Sequence, residues 1–209
     1  MFNQLFDFVA SLNVALRDNL NLFILMYALI LGYWPVRNMP LGTWFMYHPT
    51  SMTFSFVGLS LVGVIYKKLG GYHNTKLHGY LLTAGTLLGS FGFYVIYTNK
   101  INLGKDHFQS EHALYGLFGY VSYCTSNLVG ALAIHPDLGF LKTNQLIRKT
   151  HKYLSYIIMF VCWYAVVSGF TKMEKDPTTQ VALLAPLFLM LVRTASDAVD
   201  AKYLEKRIF

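Results

Sequence analysis

The sequence predicts an all-α membrane protein with six transmembrane helices. Its 209 residues are 55% hydrophobic and only 13% charged, about half the charged fraction of a typical soluble domain. Long apolar runs without Asp, Glu, Lys or Arg recur along the chain, and such runs are typical of helices that cross lipid. The predicted spans are residues 19–36, 44–66, 78–99, 112–135, 151–171 and 178–196.

These spans use most of the chain, so residues 1–209 are predicted to form a single transmembrane domain. Spans two to five, residues 44–171, form its central four-helix bundle, and the sixth span, 178–196, follows. Residues 1–18 are predicted to form an amphipathic helix on the membrane surface, because their large apolar residues recur at helical spacing. These residues are Phe2, Leu5, Phe6, Val9, Leu12 and Leu16.

The net charge of +7 is interpreted through topology and not as a sign of nucleic-acid binding. Six spans place both termini on one side with the 2–3 and 4–5 loops. That side carries eleven Lys and Arg residues against five on the other, which predicts that the termini lie in the cytoplasm or matrix. The membrane could be an endomembrane or the mitochondrial inner membrane. A second interpretation stays open, in which the basic side also docks an anion.

Four histidines lie at the starts of four consecutive spans. Spans two and four begin at the outer side, so His48 and His112 have similar depth, whereas His78 and His151 share the inner leaflet. Two imidazoles that face each other can bind a haem iron axially, whereas zinc prefers four ligands in one cluster. The simpler interpretation is that each histidine is an interfacial residue with one hydrated edge.

Small residues share the helical faces of three of these histidines. A flat, bulky ligand needs such clearance, but close packing between membrane helices also favours small residues. The glycines on these faces are Gly85, Gly89 and Gly92 in span three, Gly116, Gly119 and Gly130 in span four, and Gly169 in span five.

Four short motifs occur in order, one at each histidine. They are His48-Pro49 with Met52, Lys76-Leu77-His78, Ser110-Glu111-His112 with Gly116, and His151 with Ser155. Over residues 44–170 this set resembles the cytochrome b561 family of transmembrane, ascorbate-linked oxidoreductases.

The resemblance implies two bound haem b groups and no acid or nucleophilic catalyst. His48 with His112 would bind the outer haem, and His78 with His151 the cytoplasmic one. Electrons would pass from cytosolic ascorbate to monodehydroascorbate or a ferric chelate on the other side. An outer histidine that the family uses for substrate falls on Ile101 here. His107 lies in the same loop and is interpreted as an ordinary solvated loop residue, with the alternative that it substitutes for the family's histidine.

Ascorbate is a monoanion, so its site is expected to be basic and close to the inner haem. The resemblance assigns Lys67 and Lys76 to this site. Arg148, Lys149 and Lys152 flank His151 and are added from their charge alone. The alternative for these three is that they anchor the chain to the inner membrane surface without binding a ligand.

Two other functions stay open from the sequence. The chain could be a haem-carrying accessory subunit of a larger membrane complex, such as a respiratory one, or a homodimer. It could also be a small transporter without haem, but few polar residues lie along the histidine-bearing faces.

Overall fold

The computed structural model describes residues 19–207, with side chains as far as Thr194. The predicted surface helix, 1–18, lies outside the described residues. All regular structure in the described part of the chain is helical. The six helices are α1 (Asn19–Val36), α2 (Trp44–Leu69), α3 (Tyr72–Asn102), α4 (Glu111–Ala133), α5 (Gln145–Met173) and α6 (Pro177–Arg207).

Five of the described helices are long and apolar enough to cross a membrane: α1, α2, α3, α5 and the part of α6 that ends at Thr194. At 23 residues, α4 is also long enough, about 35 Å. Four of its polar residues, Ser122, Thr125, Ser126 and Asn127, lie close together in its second half.

Two helices begin earlier than the sequence predicts. α3 starts at Tyr72 and α5 at Gln145, more than a turn before the apolar segments predicted at 78 and 151. The first turns are polar, so hydropathy does not detect them, although their backbone continues the helix. His78 and His151 therefore lie inside their helices and not at the ends.

The loops between the helices contain the signals that start each helix. The Ser110 hydroxyl accepts a hydrogen bond from the Ala113 amide, and the Asn144 side chain accepts one from the Ile147 amide, which satisfies amides that a helix start leaves unpaired. Gly70 and Gly71 have φ angles of +72° and +81°, which favour glycine. This tight turn makes α2 and α3 antiparallel neighbours.

The core centres on α2, the most buried of the apolar helices. Phe56 and Val57 of α2 are almost fully buried, as are Trp163 of α5 and Leu31 of α1. α4 packs mainly on α5, and α3 mainly on α2. The bundle is thus two helix hairpins, α2–α3 and α4–α5, packed together.

A π-helical segment, Phe54–Leu59, interrupts α2 in the middle of the bundle. The Trp163 indole N–H donates to the Phe56 carbonyl at 2.8 Å, and the Ser60 hydroxyl donates to the same oxygen. The Ser55 hydroxyl donates to the Gly85 carbonyl of α3 at 2.7 Å. Lipid provides no hydrogen-bond partners, so these polar groups bond within the protein. The Trp163 bond connects α2 to α5, and the Ser55 bond connects α2 to α3.

Candidate cofactor-binding site

The structure brings the imidazoles of His48 of α2 and His112 of α4 close together at one end of the bundle. Their ring centroids are 6.3 Å apart, with 78° between the ring planes. His48 Nδ1 lies 3.0 Å from the Gly92 carbonyl oxygen, and His112 Nδ1 lies 2.9 Å from that of Ala165. A carbonyl only accepts hydrogen bonds, so Nδ1 carries the proton in each ring and Nε2 of the neutral imidazole carries the lone pair.

This separation fits two imidazoles on opposite sides of one metal. A metal–nitrogen bond of roughly 2 Å on each side, with about 1 Å from each nitrogen to its ring centre, places the centroids about 6 Å apart. Among the described residues, no group of three or more His, Cys, Asp or Glu side chains could form a metal cluster. The donor set is therefore a pair of imidazoles, which suits haem iron better than zinc.

A cavity of about 260 Å³ adjoins this pair and is lined mainly by apolar side chains. Gly116, on the face of α4 below His112, also lines it, and a Cβ added at Gly116 would meet no atom within 4 Å. This open space beside the imidazole pair is what a flat ligand requires. The residues at this end of the bundle therefore fit a haem.

His78 and His151 are the second predicted pair, and they lie at the opposite end. His78 Nδ1 lies 3.0 Å from the Gly63 carbonyl oxygen of α2, so its lone pair is also on Nε2. The two imidazoles are close enough to interact electrostatically. In the α2–α3 hairpin the support is reciprocal, because each histidine bonds to a glycine carbonyl of the other helix.

The glycines on the histidine-bearing faces have two different roles. Gly89 and Gly92 of α3 pack against Ser55 and Met52 of α2, with an added Cβ about 3 Å from each. They serve close helix packing, so for Gly89 and Gly92 the structure supports the second of the two interpretations given for these glycines.

On α4 and α5, Gly130 and Gly169 lie against the histidines themselves. A Cβ at Gly169 would lie 2.7 Å from His112 Cε1, and one at Gly130 would lie 3.4 Å from His151 Cε1. The α4–α5 hairpin is therefore reciprocal too, because a glycine of each helix makes room for the histidine of the other.

The predicted anion-binding residues lie at the end of the bundle that carries His78 and His151, and their neighbours differ. Lys67 interacts electrostatically with both His78 and His151 and donates to the Thr75 hydroxyl at 2.9 Å. Arg148 is within electrostatic range of Lys67 and donates to the Lys142 carbonyl at 2.9 Å. These two cations therefore lie together near the inner pair.

The other two predicted anion-binding residues are Lys149 and Lys152, both on α5. Lys149 is exposed to solvent. The ammonium group of Lys152 lies 5.2 Å from the centre of the Tyr153 ring, on its own helix.

Lys76 is paired with a carboxylate that sequence reasoning missed. Its ammonium group lies 2.9 Å from Asp137, in the α4–α5 loop, and the Tyr72 hydroxyl donates to the same carboxylate at 2.5 Å. These two donors lower the pKa of Asp137 below its ordinary value, the Tyr72 bond having the larger effect. Asp137 is the only acidic residue between 134 and 150. A single carboxylate in an otherwise basic loop is the feature of the sequence that could have predicted an ion pair with a lysine.

Three further residues at the outer cavity were also missed or misinterpreted. His107 is half-buried, stacks on Tyr97 with 4.3 Å between ring centroids and lines the cavity. The interpretation of His107 as a solvated loop residue is therefore wrong. Lys100 and Lys172 line the same cavity, and no sequence motif marked them.

Comparison with known proteins identifies the family. Residues 47–175, well over half of the chain, match the family described as "Eukaryotic cytochrome b561". The match covers α2, α3, α4 and α5, and so contains both histidine pairs. A search of curated proteins finds no match. The chain belongs to the eukaryotic cytochrome b561 family of transmembrane electron-transfer oxidoreductases.

Proposed function

We propose that the chain spans the membrane six times and carries electrons across it with two haem b groups. His48 and His112 would bind the outer haem, and His78 and His151 the inner one. The donor would be ascorbate at the inner side, and the acceptor monodehydroascorbate or a ferric chelate at the outer side. Membership of the cytochrome b561 family supports the reaction class.

The observation that carries the proposal is the arrangement of the His48–His112 pair. The 6.3 Å between ring centroids suits axial ligands of a single iron. The carbonyl contacts of Gly92 and Ala165 orient both rings and set the tautomer that a metal requires. These supports come from the backbone, so they do not depend on a flexible side chain.

When bound, haem supplies an iron that accepts and releases one electron. The chain's residues hold the imidazoles, exclude water and keep the two sites at opposite ends of the bundle. Apolar side chains such as Phe56, Val57 and Trp163, all nearly fully buried, fill the space between the pairs.

The donor site is proposed at Lys67, Lys76 and Arg148. Their charges suit an anion such as ascorbate, and Lys67 interacts with both inner histidines. An anion there would lie near the inner pair. Lys149 and Lys152 are proposed as peripheral residues of the same basic surface at the inner side.

The first test is a reduced-minus-oxidised visible spectrum of the purified chain. We expect b-type haem at two equivalents per chain, and His78→Ala should lose about one equivalent. His73→Ala, which replaces an exposed histidine near the same end, should lose none. A colourless preparation from haem-replete cells, or two equivalents in His78→Ala, would contradict the proposal. Stable copurification with other membrane subunits would favour an accessory role.

A further inference from the structure

The outer cavity contains two positive charges that the histidine pairs do not explain. Lys100 lies near the end of α3 and Lys172 near the end of α5, and both line the cavity beside His48 and His112. Both ammonium groups are close enough to His112 to act on it electrostatically. Two different helices thus bring cations to the same end of one largely apolar cavity.

No carboxylate of the cavity balances these charges. Among the described residues that line it, none is acidic. Lys100 donates one hydrogen bond, to the Asp106 backbone carbonyl at 2.6 Å, and an ammonium group has three donor hydrogens. Lys172 is exposed and Lys100 half-buried, so the cavity suits a ligand whose apolar part lies inside it and whose negative charges meet these two cations.

We propose that Lys100 and Lys172 bind the two propionate carboxylates of the haem held by His48 and His112. The inference rests on the proposed function, since it requires a haem at this pair. Haem b is an apolar ring with two anionic propionates, and the cavity has an apolar lining with two cations. The lysines are binding residues for this ligand and are distinct from the axial pair.

The charges have a consequence that can be measured. Reduction adds an electron to the site, so nearby positive charge favours the reduced state. Removing the lysine charges takes positive charge away from the haem and therefore disfavours reduction. The inner site lies at the other end of the bundle, so its reduction equilibrium should stay the same.

The test uses the full chain loaded with haem and an optical redox titration. Lys100→Gln, Lys172→Gln and the double variant are compared with Lys105→Gln, which replaces an exposed lysine of the neighbouring loop outside the cavity lining. In the double variant we expect about a tenfold shift of one haem towards the oxidised form, which is 59 mV for one electron. The other haem and Lys105→Gln should be unchanged.

Two additions make the result specific. The His78→Ala background, which keeps only the outer pair, identifies the shifted haem as the outer one. Haem retention on dilution should fall in the double variant and recover in Lys100→Arg with Lys172→Arg, which keep the charge. The single variants give the same comparison should the double variant not fold.

Each other outcome overturns the inference. Unchanged potentials and retention would mean that the lysines only stabilise the ends of α3 and α5 through the helix dipole. Unchanged potentials with a higher KM for the acceptor would mean that they bind an external anion. A wild-type chain without haem would instead refute the proposed function, so the two failures are distinguishable.

Discussion

At the scale of single residues, backbone carbonyls determine how the histidines can act. Gly92, Gly63 and Ala165 each accept from a histidine Nδ1, which leaves Nε2 as the ring nitrogen that carries the lone pair. A glycine opposite His112 provides the room that its ring needs, because even a methyl group at Gly169 would contact the ring. The neighbouring helix thus sets the tautomer of each of these histidines, and for His112 it also provides the space for the ring.

Asp137 is expected to compete with an anionic donor for Lys76. Its carboxylate already lies 2.9 Å from the lysine, in the place that an incoming anion would take. Asp137→Asn removes this competitor, so we expect a severalfold lower KM for ascorbate with little change in the maximal rate. The measurement is the initial rate of haem reduction against ascorbate concentration.

The pH dependence of this contact has a definite sign. The pKa of Asp137 is lowered in the folded chain by Tyr72 and Lys76, so the pair is intact at neutral pH and is lost as the pH falls through that pKa. Asp106→Asn, an exposed carboxylate of the outer side, is the control and should leave the KM unchanged. An unchanged KM in Asp137→Asn would show that the lysine binds no donor.

At the scale of helices, Glu174 connects α1 to the connection between α5 and α6. Its Oε2 accepts from the Trp34 indole at 3.1 Å and from Arg37 at 3.0 Å. Its Oε1 accepts from the Lys175 and Asp176 amides. One carboxylate thus joins the end of α1 to the loop between α5 and α6.

Replacing Glu174 is expected to lower the thermal stability of the chain. Glu174→Ala leaves the Trp34 and Arg37 donors without their acceptor, so the thermal midpoint should fall by a few degrees. The change is measured by thermal unfolding in detergent, and Glu111→Ala, which replaces an exposed acid at the same side, is the control. Arg37→Met should add little to Glu174→Ala, because both remove the same contact. Additive losses would contradict this account.

This joint also depends on pH. The Asp176 amide, Arg37 and Trp34 lower the pKa of Glu174 below its ordinary value, the amide bond first. The stabilisation is therefore complete above the carboxylate's ordinary pKa and is lost as the pH falls through the lowered one.

The sequence predicts most of the helical architecture but few of these contacts. Hydropathy predicts that α1 ends at residue 36, as in the structure, and the alternating topology predicts His48 and His112 at similar depth, where their rings lie 6.3 Å apart. Hydropathy does not predict the first turns of α3 and α5, because the residues of these turns are polar. Asp137, Lys100 and Glu174 depend on which loops meet in space, and the spacing of residues along a helix carries no information about that.

At the scale of the whole molecule, the two hairpins place one histidine pair at each end of the bundle. Each hairpin contributes one histidine to each pair, so neither pair can form unless both hairpins are packed together. The contacts between α2 and α5, such as the Trp163 bond to Phe56, therefore support both sites at once. Loss of one histidine, in contrast, affects only its own end.

This separation predicts that the two ends can be disabled independently. In sealed liposomes with ascorbate at the inner side, His112→Ala removes the outer pair and leaves Lys67, His78 and His151 in place. We expect about half of the haem absorbance to remain reducible by ascorbate. Transfer to an impermeant ferric chelate outside should fall at least about tenfold, because one redox site at the inner end leaves most of the ~30 Å hydrocarbon layer uncrossed. His73→Ala should keep both activities, and undiminished transfer in His112→Ala would show that electrons do not need the outer pair.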